Sequence, residues 1–370
     1  MSAQIAVVGG GVIGLSVAWR LAAADHQVVV IDPAPATGAS WVAGGMLAPI
    51  AEAWPGEEGL LTIGAASLAQ WPEFAEDLSA VAADPGLRTA GTVVVAVDAA
   101  DAAQLQILAE HLGSLGRTVE RLTGSQLRRL EPSISPGVRS GLLVSGDLAV
   151  DNRELLRALI KAARRSGVQF ATATVRAVRP GTVELSDESI VDCGLVVICA
   201  GAWSGRLHPT LSALIRPVKG EILRLRARPG ALPPPKRTVR GLVESRPVYL
   251  VPRAGGELVL GATQYEAGFD TEVTVRGVGE LLADAERVLP GLSEYALIEC
   301  AAGLRAGSRD NLPLIGWLEP GVLVATGHHR NGFLLAPITA SAVLALVRGR
   351  PLPDAVRPAD PARFAPAVLP

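Results

Sequence analysis

The sequence predicts an α/β fold in which a mainly parallel sheet with flanking helices is joined to a smaller α+β domain with a mainly antiparallel sheet. Three short apolar runs, residues 4–8, 195–199 and 322–326, each lead into a glycine turn, as buried strands of one sheet do. Residues 215–228 and 248–262 are longer runs with alternating or interrupted polarity, which is typical of antiparallel strands.

Helical segments connect the strands of the first domain. Residues 12–24 form a helix-length apolar segment, and residues 28–31 form a second β-branched run after it. Asp151 offers a helix N-cap with Glu154 as its capping partner, and the apolar stripe that follows predicts a further helix. A helix is also expected from about residue 333 to residue 347. This alternation of strands and helices favours the parallel sheet.

The second domain interrupts the first one twice, so we expect discontinuous domains with a ligand-binding crevice between them. Residues 91–97 read as a strand, residues 99–115 as an exposed helix and the proline-rich residues 229–235 as a surface loop. The first domain is expected to comprise residues 1–85, 147–214 and 300–350, the second residues 86–146 and 215–299, and residues 351–370 are expected to form a proline-rich tail without regular structure along the surface.

Composition excludes several classes of protein. Of the 370 residues, 49 % are hydrophobic and 19 % are charged, which excludes a disordered chain. The 34 Lys plus Arg nearly balance the 36 Asp plus Glu, so no basic field exists to hold nucleic acid or an anionic membrane. The three cysteines, Cys193, Cys199 and Cys300, form no C-x-x-C pair, and no histidine has metal-ligand spacing. We therefore expect no metal and a reducing, cytoplasmic setting.

The apolar stretch from residue 5 to residue 24 superficially resembles a signal peptide or membrane anchor. Residues 1–4 carry no Lys or Arg, and the three glycines at 9–11 divide the stretch into a strand-sized and a helix-sized piece. No other stretch reaches about 18 apolar residues without charge or proline. A protein without a membrane span is therefore expected.

A glycine turn predicts a dinucleotide site. Gly9, Gly11 and Gly14 follow the spacing G-x-G-x-x-G between the first strand and helix, and Asp32 ends the next strand. In a Rossmann-like domain these glycines permit a tight turn, close approach of a pyrophosphate and close helix packing, while the acidic residue binds the ribose hydroxyls. Asp32 would repel a 2′-phosphate, which disfavours NADP. The turn itself leaves NAD and FAD open.

Three further segments carry a family resemblance. They are residues 39–49 (ASWVAGGMLAP), residues 303–316 (GLRAGSRDNLPLIG) and residues 325–332 (ATGHHRNG). Together with the glycine turn they resemble the glycine oxidase and D-amino-acid oxidase family over nearly the whole chain. The resemblance implies a Rossmann-like FAD-binding domain with non-covalent FAD, and oxidative deamination of glycine or small amines by O2. It also implies a place in thiamine biosynthesis and a homo-oligomer, usually a tetramer.

The resemblance also implies further cofactor contacts. Gly44 and Gly45 leave room for a planar ring against the main chain. A helix that begins after Gly332 would direct its positive end, and the N–H groups of Gly332 and Phe333, toward a flavin that becomes anionic on reduction. The expected FAD-binding residues beyond the glycine turn and Asp32 are Val12, Ile13, Ser40, Ala43, Gly44, Gly45, Met46, Val175, Ala200, Gly201, Trp203, Gly303, Gly327, His329, Arg330, Asn331, Gly332 and Phe333.

Arg305 matches the family's carboxylate-binding arginine, and a guanidinium can hold a carboxylate through two parallel hydrogen bonds. The alternative is a surface ion pair of Arg305 with Asp310 or Glu299. Tyr249 matches the tyrosine that donates to the same carboxylate, although a strand tyrosine also packs. Arg330 either borders the site or pairs with an acidic neighbour. These residues form the expected substrate site.

Some positions depart from the family and limit the substrate expectation. Gln264 stands where relatives often carry an apolar residue, and Pro247 stands where a histidine can occur. Gly303, rather than Cys300, aligns with the cysteine that tethers flavin in sarcosine oxidases, so a dissociable FAD is expected. The adjacent His328 and His329 diverge on most backbones, which argues against a metal pair.

Three alternative functions remain open from the sequence. One is a related amine dehydrogenase, such as a sarcosine oxidase-like enzyme, that passes electrons to an acceptor other than O2. The second is a flavin-binding redox sensor that turns nothing over. The third is an NAD enzyme, which the glycine turn alone does not exclude.

Overall fold

The computed structural model describes residues 4–364, which form twenty strands and nine α-helices. The strands are β1 (Ile5–Val8), β2 (Val28–Ile31), β3 (Met46–Leu47), β4 (Leu87–Arg88), β5 (Thr92–Ala96), β6 (Glu120–Thr123), β7 (Ser140–Val144), β8 (Leu148–Val150), β9 (Gln169–Ala171), β10 (Val175–Arg179), β11 (Thr182–Leu185), β12 (Ile190–Asp192), β13 (Leu195–Ile198), β14 (Arg216–Arg226), β15 (Thr238–Val243), β16 (Arg246–Pro252), β17 (Glu257–Gly261), β18 (Ala296–Gly307), β19 (Leu314–Glu319) and β20 (Val322–Thr326). The helices are α1 (Val12–Ala22), α2 (Gly38–Val42), α3 (Glu58–Val81), α4 (Ala99–Ser114), α5 (Gly124–Leu130), α6 (Asn152–Arg165), α7 (Ser204–Leu207), α8 (Val275–Val288) and α9 (Gly332–Val347).

The first sheet has six strands in the order β19-β20-β13-β1-β2-β9. Strand β1 pairs in parallel with both β2 and β13, and β13 pairs in parallel with β20, while β19 is an antiparallel edge strand. The three strands predicted to end in glycine turns are therefore neighbours, as the sequence predicts. Because parallel strands end at the same edge, their turns meet at one end of the sheet.

The second large sheet has eight strands in the order β18-β14-β17-β16-β15-β5-β7-β6. Its neighbours are antiparallel except for the parallel pair β5 and β15. Strand β18 pairs with β14 from Ala296 to Gly307, so the expected domain boundary at residue 300 falls inside a strand. Two smaller sheets of three strands, β10-β11-β12 and β3-β8-β4, complete the described fold.

Several local expectations are corrected. The predicted run over residues 248–262 is a hairpin of β16 and β17, whose turn contains Gly255 and Gly256 at positive φ. Helix α4 has a buried face rather than full exposure, because Leu105, Leu108 and Leu112 pack into a core. The side chain of Asp151 caps α6 as expected, but the carboxylate of Glu154 pairs with Arg157 at 2.6 Å instead of completing a capping box.

The carboxy-terminal segment is also more ordered than expected. Residues 357–359 and 361–364 form single 3₁₀ turns, and Leu352, Val356 and Ala359 are buried in the core of the six-stranded sheet. Prolines limit long helices but leave such short turns available. The remainder of the expected tail, residues 365–370, lies outside the described residues, as do residues 1–3.

Helix α9 is the central helix of this core. The segment His329–Val347 is long and apolar enough to cross a membrane, and 67 % of its most apolar window is buried within the fold. It packs against α1 and α3 through residues that include Leu334, Leu335 and Val343. Such burial is typical of a core helix, because its apolar surface is already covered by protein.

Candidate active site

A cavity of about 560 Å³ lies between the carboxyl-terminal edge of the six-stranded sheet and one face of the eight-stranded sheet. Its volume is in the range of cofactor and ligand sites. The predicted site residues that line it are Gly9, Gly11, Val12, Ile13, Asp32, Ser40, Ala43, Gly44, Gly45, Met46, Val175, Ala200, Gly201, Trp203, Tyr249, Gly303, Arg305, His329, Arg330, Asn331, Gly332 and Phe333.

Two predicted cofactor-binding residues, Gly14 and Gly327, lie outside the cavity lining. A side chain on Gly14 would overlap the carbonyl of Gly9, which matches the helix-packing role expected for this glycine. Gly327 has a φ of 78° and packs against Ile215, Leu314 and Ser308. Gly14 therefore allows α1 to pack against the glycine turn, and Gly327 forms the turn after β20. Neither glycine lines the cavity.

The glycine turn lies at the start of α1, where the N-cap residue carries no side chain. Gly9 has a φ of 108°, and Gly11 is the N-cap of α1 without a side-chain capping hydrogen bond. The N–H of Val12 donates to Oγ of Ser40 at 3.0 Å. The carboxylate of Asp32 accepts the N–H of Gly10 at 2.6 Å and that of Ala34 at 2.7 Å, so it is fixed at the end of β2. An uncapped helix N-terminus of this kind favours an anion.

The end of α2 and the loop that follows it, residues 40–45, are held in place by two residues that sequence reasoning missed. Nδ2 of Asn152 donates to the carbonyls of Ser40 at 3.0 Å and Trp41 at 2.8 Å. Nη2 of Arg253 donates to the carbonyl of Gly44 at 2.6 Å. A Cβ on Gly44 would lie 2.8 Å from the ring of Tyr249, so only glycine lets the loop and this ring approach so closely. Neither polar partner has a local sequence signal.

One face of the eight-stranded sheet forms the other wall. Arg240, Tyr249, Gly261 and Ile222 lie directly opposite one another on β15, β16, β17 and β14, so their side chains share a face. Gly220 and Gly303 are opposite each other on β14 and β18, two residues farther along the same face. The ring of Tyr249 lies over Gly261.

Arg305 belongs to this face, and its guanidinium lies over Gly220. Nη1 of Arg305 donates to the carbonyl of Thr263 at 3.1 Å, and within residues 4–364 Arg305 forms no ion pair. The alternative of a surface ion pair is wrong, because Asp310 pairs with Arg363 at 2.7 Å and Glu299 pairs with Arg153 at 2.7 Å. Burial lowers the pKa of Arg305, but a guanidinium stays protonated at neutral pH.

A charge cluster borders Arg305 and contains two further residues that sequence reasoning missed, Glu52 and Arg240. Glu52 forms ion pairs with Arg240 and, at 3.1 Å, with Arg330. Arg330 also pairs with Glu57 at 2.7 Å, so it both borders the cavity and has acidic partners. Burial alone would raise the pKa of Glu52, but the two arginines hold it below its usual value. Glu52 is therefore a carboxylate at neutral pH.

The two adjacent histidines differ in their surroundings. Nε2 of His328 hydrogen-bonds Oγ1 of Thr339 at 3.0 Å, and burial lowers the pKa of His328 to about 3. His329 lines the cavity with a buried Nε2 that has no hydrogen-bond partner, and burial with nearby arginines lowers its pKa to about 4. Both imidazoles are neutral at pH 7. No cluster of metal-ligating side chains occurs in the part of the chain that the structure describes.

The N-terminus of α9 also faces the cavity through Gly332 and Phe333. Its N-cap, Asn331, makes no side-chain capping bond, and the first turn has no acidic residue. An N-terminus of this kind stabilises negative charge bound against it by about 0.3–2 kcal/mol. The cavity is thus bordered by two helix N-termini.

Comparisons with known proteins identify the family. The model of the family described as FAD dependent oxidoreductase matches residues 4–346. The chain belongs to this family.

Glycine oxidase of Geobacillus kaustophilus is 32 % identical over 355 residues, which cover 93 % of this chain and 92 % of that protein. The crystal structure of glycine oxidase from this organism has a TM-score of 0.90 and covers 99 % of this chain and 100 % of its own, at 29 % identity. A thiamine biosynthesis oxidoreductase of Rhizobium etli is 34 % identical over 92 % of this chain and 95 % of its own length. The bifunctional protein ThiO/ThiG of Synechocystis sp. is 31 % identical over 98 % of this chain, which spans about half, 54 %, of that protein.

The cavity fits the FAD that this family uses. Glycine at position 303 lets β18 and α2 approach each other closely at the cavity wall, because a Cβ on Gly303 would lie 3.0 Å from Cα of Ala39. Two helix N-termini face it whose N-cap residues make no side-chain capping bond, and such helix ends favour an anionic dinucleotide. Cys300 is exposed on β18 and does not line the cavity, whereas Cys199 lines it with a buried thiol whose pKa is raised by burial. A buried, protonated thiol is a poor nucleophile, which favours non-covalent binding.

Proposed function

We propose that this FAD-dependent enzyme oxidatively deaminates glycine and other small amines or D-amino acids, with O2 as electron acceptor. The observation that carries the proposal is the guanidinium of Arg305, which has no carboxylate partner and lies beside the phenol of Tyr249 in a cavity bordered by the glycine turn. The similarity to glycine oxidases over nearly the whole chain supports the same activity. Glycine, O2 and water would give glyoxylate, ammonia and H2O2.

The cofactor would be held by the residues that line the cavity wall on the six-stranded sheet. The N-terminus of α1 would bind the pyrophosphate, Asp32 the adenosine ribose, and the loop around Gly44 and Gly45 the planar ring. When bound, FAD would supply the hydride-accepting group for oxidation of the substrate α-carbon and would pass the two electrons on to O2. The N-terminus of α9 would stabilise the resulting negative charge.

The substrate would be oriented by the eight-stranded sheet. Arg305 can hold the carboxylate through two hydrogen bonds, while the hydroxyl of Tyr249 donates a further one. Burial lowers the pKa of His328 to about 3 and that of His329 to about 4, so both imidazoles are weak bases, and Glu52 is already paired. The described residues near Arg305 therefore offer no strong, unpaired general base. The substrate would therefore react as its neutral amine, and the product imino acid would hydrolyse to the keto acid and ammonia.

Several finer points belong to the same proposal. Glycine oxidation would serve thiamine biosynthesis, which is the process named for the Rhizobium etli relative. The three free cysteines support a reducing, cytoplasmic setting. We also propose that the protein forms a homo-oligomer, namely a tetramer, and sedimentation of the purified protein tests this. We also divide the chain into an FAD-binding and a substrate domain, with the boundary moved from residue 300 to the end of β18 at Gly307, because β18 belongs to the eight-stranded sheet.

An anaerobic titration of the purified yellow protein with glycine, sarcosine, D-alanine and L-alanine tests the proposal. We expect glycine, sarcosine and D-alanine to bleach the flavin absorbance and L-alanine to leave it unchanged. An oxygen electrode should then record O2 consumption and H2O2 without any added acceptor. Bleaching without O2 consumption would instead favour a dehydrogenase, and no bleaching by any amine would contradict the proposal.

A further inference from the structure

Three guanidinium groups line the described cavity, on Arg240, Arg305 and Arg330, but only Arg240 and Arg330 have carboxylate partners, which are Glu52 and Glu57. Glu52 pairs with Arg240 and with Arg330 at the same time. Arg305 has only the Thr263 carbonyl at 3.1 Å. The site therefore offers one uncommitted positive charge, which suits a ligand with one carboxylate.

The guanidinium of Arg240, which is paired with Glu52, lies on the same cavity wall as the unpaired guanidinium of Arg305. Arg240 is directly opposite Tyr249 in the β15–β16 pair, and Arg305 projects from the same sheet face. Nη1 of Arg240 also contacts Sδ of Met46 at 3.7 Å, and Met46 lies at the start of β3 and lines the cavity. A ligand bound to Arg305 and extending past Tyr249 would therefore approach Arg240 and the carboxylate that covers it.

The backbone next to Glu52 is fixed by hydrogen bonds to Asp147. The backbone N–H groups of Ile50 and Ala51 donate to the carboxylate of Asp147, at 3.4 and 3.2 Å, so the residues before Glu52 are anchored to the fold. The side chain of Glu52 is 12 % exposed. Its carboxylate is therefore held at the cavity wall and does not swing freely into solvent.

We propose that Glu52 is a specificity-determining residue that restricts the site to amino acids with a single carboxylate. It occupies the two guanidiniums that would otherwise bind a second carboxylate, and its own charge repels one. This inference rests on the proposed function, because it takes Arg305 as the binding group of the first carboxylate. Like charges brought together in a desolvated site are strongly disfavoured.

Binding of substrate-like acids to the FAD-loaded enzyme tests the inference without turnover. Acetate, malonate, succinate and glutarate are titrated while the absorbance of the bound flavin is followed. In the wild-type enzyme we expect every diacid to bind at least about 10-fold more weakly than acetate. In Glu52→Gln, at least one diacid should gain about 10-fold or more relative to acetate, and D-aspartate or D-glutamate should gain as substrates in the same way.

Glu57→Gln is the matched control, because Glu57 pairs with Arg330 but does not line the cavity. It makes the same change of charge and should leave the ratio of diacid to acetate affinity unchanged. Adding Arg240→Met to Glu52→Gln should remove the gain. An equal gain in Glu57→Gln, or an unchanged ratio in Glu52→Gln, would overturn the inference.

A measurement on the wild-type enzyme covers the case in which Glu52→Gln does not fold. Monomethyl glutarate should bind at least about 10-fold more tightly than glutarate, because only its second charge is removed. Equal affinities would overturn the inference. Reduction of the flavin by glycine is recorded in the same preparation. If glycine reduces the flavin but the enzyme does not discriminate against diacids, only the role of Glu52 is contradicted. If glycine does not reduce the flavin, the proposed function is contradicted.

Discussion

The guanidinium of Arg305 lies directly over the α-carbon of Gly220, so closely that a methyl group on Gly220 would overlap it. The two residues are on neighbouring strands, β18 and β14, and their side-chain positions point to the same face. The absence of a side chain at residue 220 therefore decides where the arginine can lie. The charge of Arg305 and the position of its guanidinium can therefore be tested separately, by one substitution at residue 305 and another at residue 220.

Replacing Arg305 should abolish substrate oxidation without loss of the cofactor. Arg305→Ala removes the only unpaired guanidinium of the described cavity lining, and we expect the rate of flavin reduction per unit glycine concentration to fall by several orders of magnitude. Arg305→Lys keeps the charge but not the fork of two donors, so a smaller loss is expected. Anaerobic stopped-flow spectroscopy measures both rates. Arg157→Ala, which removes an exposed guanidinium on α6, is the control, and near-normal turnover in Arg305→Ala would refute the assignment.

Displacing Arg305 should resemble removing it. In Gly220→Ala the new methyl group forces the guanidinium from its place, and misplacement by about 1 Å can cost about 100-fold in rate. We expect the KM for glycine to rise by about 10-fold or more, measured by O2 consumption. Gly279→Ala introduces the same group on α8 where nothing lies within 4 Å, so its kinetics should match the wild type. A normal KM in Gly220→Ala would show that Arg305 does not need this position.

The buried Asp147 should make stability depend on pH. Burial raises the pKa of its carboxyl from 3.8 to about 7, despite the N–H donors of Ile50 and Ala51. The folded state then binds this proton more tightly than the unfolded state, so its contribution to stability is complete below about pH 4 and is lost as the pH rises to about 7. Asp147→Asn does not titrate. The free energy of unfolding of the variant minus that of the wild type should therefore rise across this window by up to about 1.4 kcal/mol per pH unit.

Urea denaturation of both proteins at pH 5, 6, 7 and 8 measures this difference. It should increase between pH 5 and pH 7 and level off above pH 7. A difference that stays constant over this range would show that Asp147 does not carry the proton.

The pH dependence of catalysis should not come from the histidines near the cavity. Burial lowers the pKa of His328 to about 3 and that of His329 to about 4, so neither changes its charge between pH 5.5 and pH 8. The rate of flavin reduction should rise with pH because the substrate must lose its ammonium proton. His329→Gln should have the same profile as the wild type. A limb near pH 6 that disappears in this variant would instead assign an acid–base role to His329.

Local signals were sufficient for much of the fold and for one wall of the cavity. The spacing of Gly9, Gly11 and Gly14 predicts a strand, a tight turn and a helix, because these conformations depend on a few neighbouring residues. The predicted strands ending before Gly9, Gly201 and Gly327 are neighbours in the structure. The sequence does not reveal the turn at residues 255–256, because β16 and β17 read as one run of alternating or interrupted polarity.

The sequence by itself determined the fold class, the dinucleotide turn and the candidate arginine, because short motifs carry them. Only the tertiary structure decided which charges remain free. Glu52, Arg240 and Arg330 come from three distant segments, and the ion pairs between them follow from tertiary packing that no local pattern encodes. The same holds for Asn152 and Arg253, which fix the loop at Gly44 from elements more than 100 residues away. Contacts between distant segments are set by the packing of whole sheets, and these contacts determine the net charge of this site.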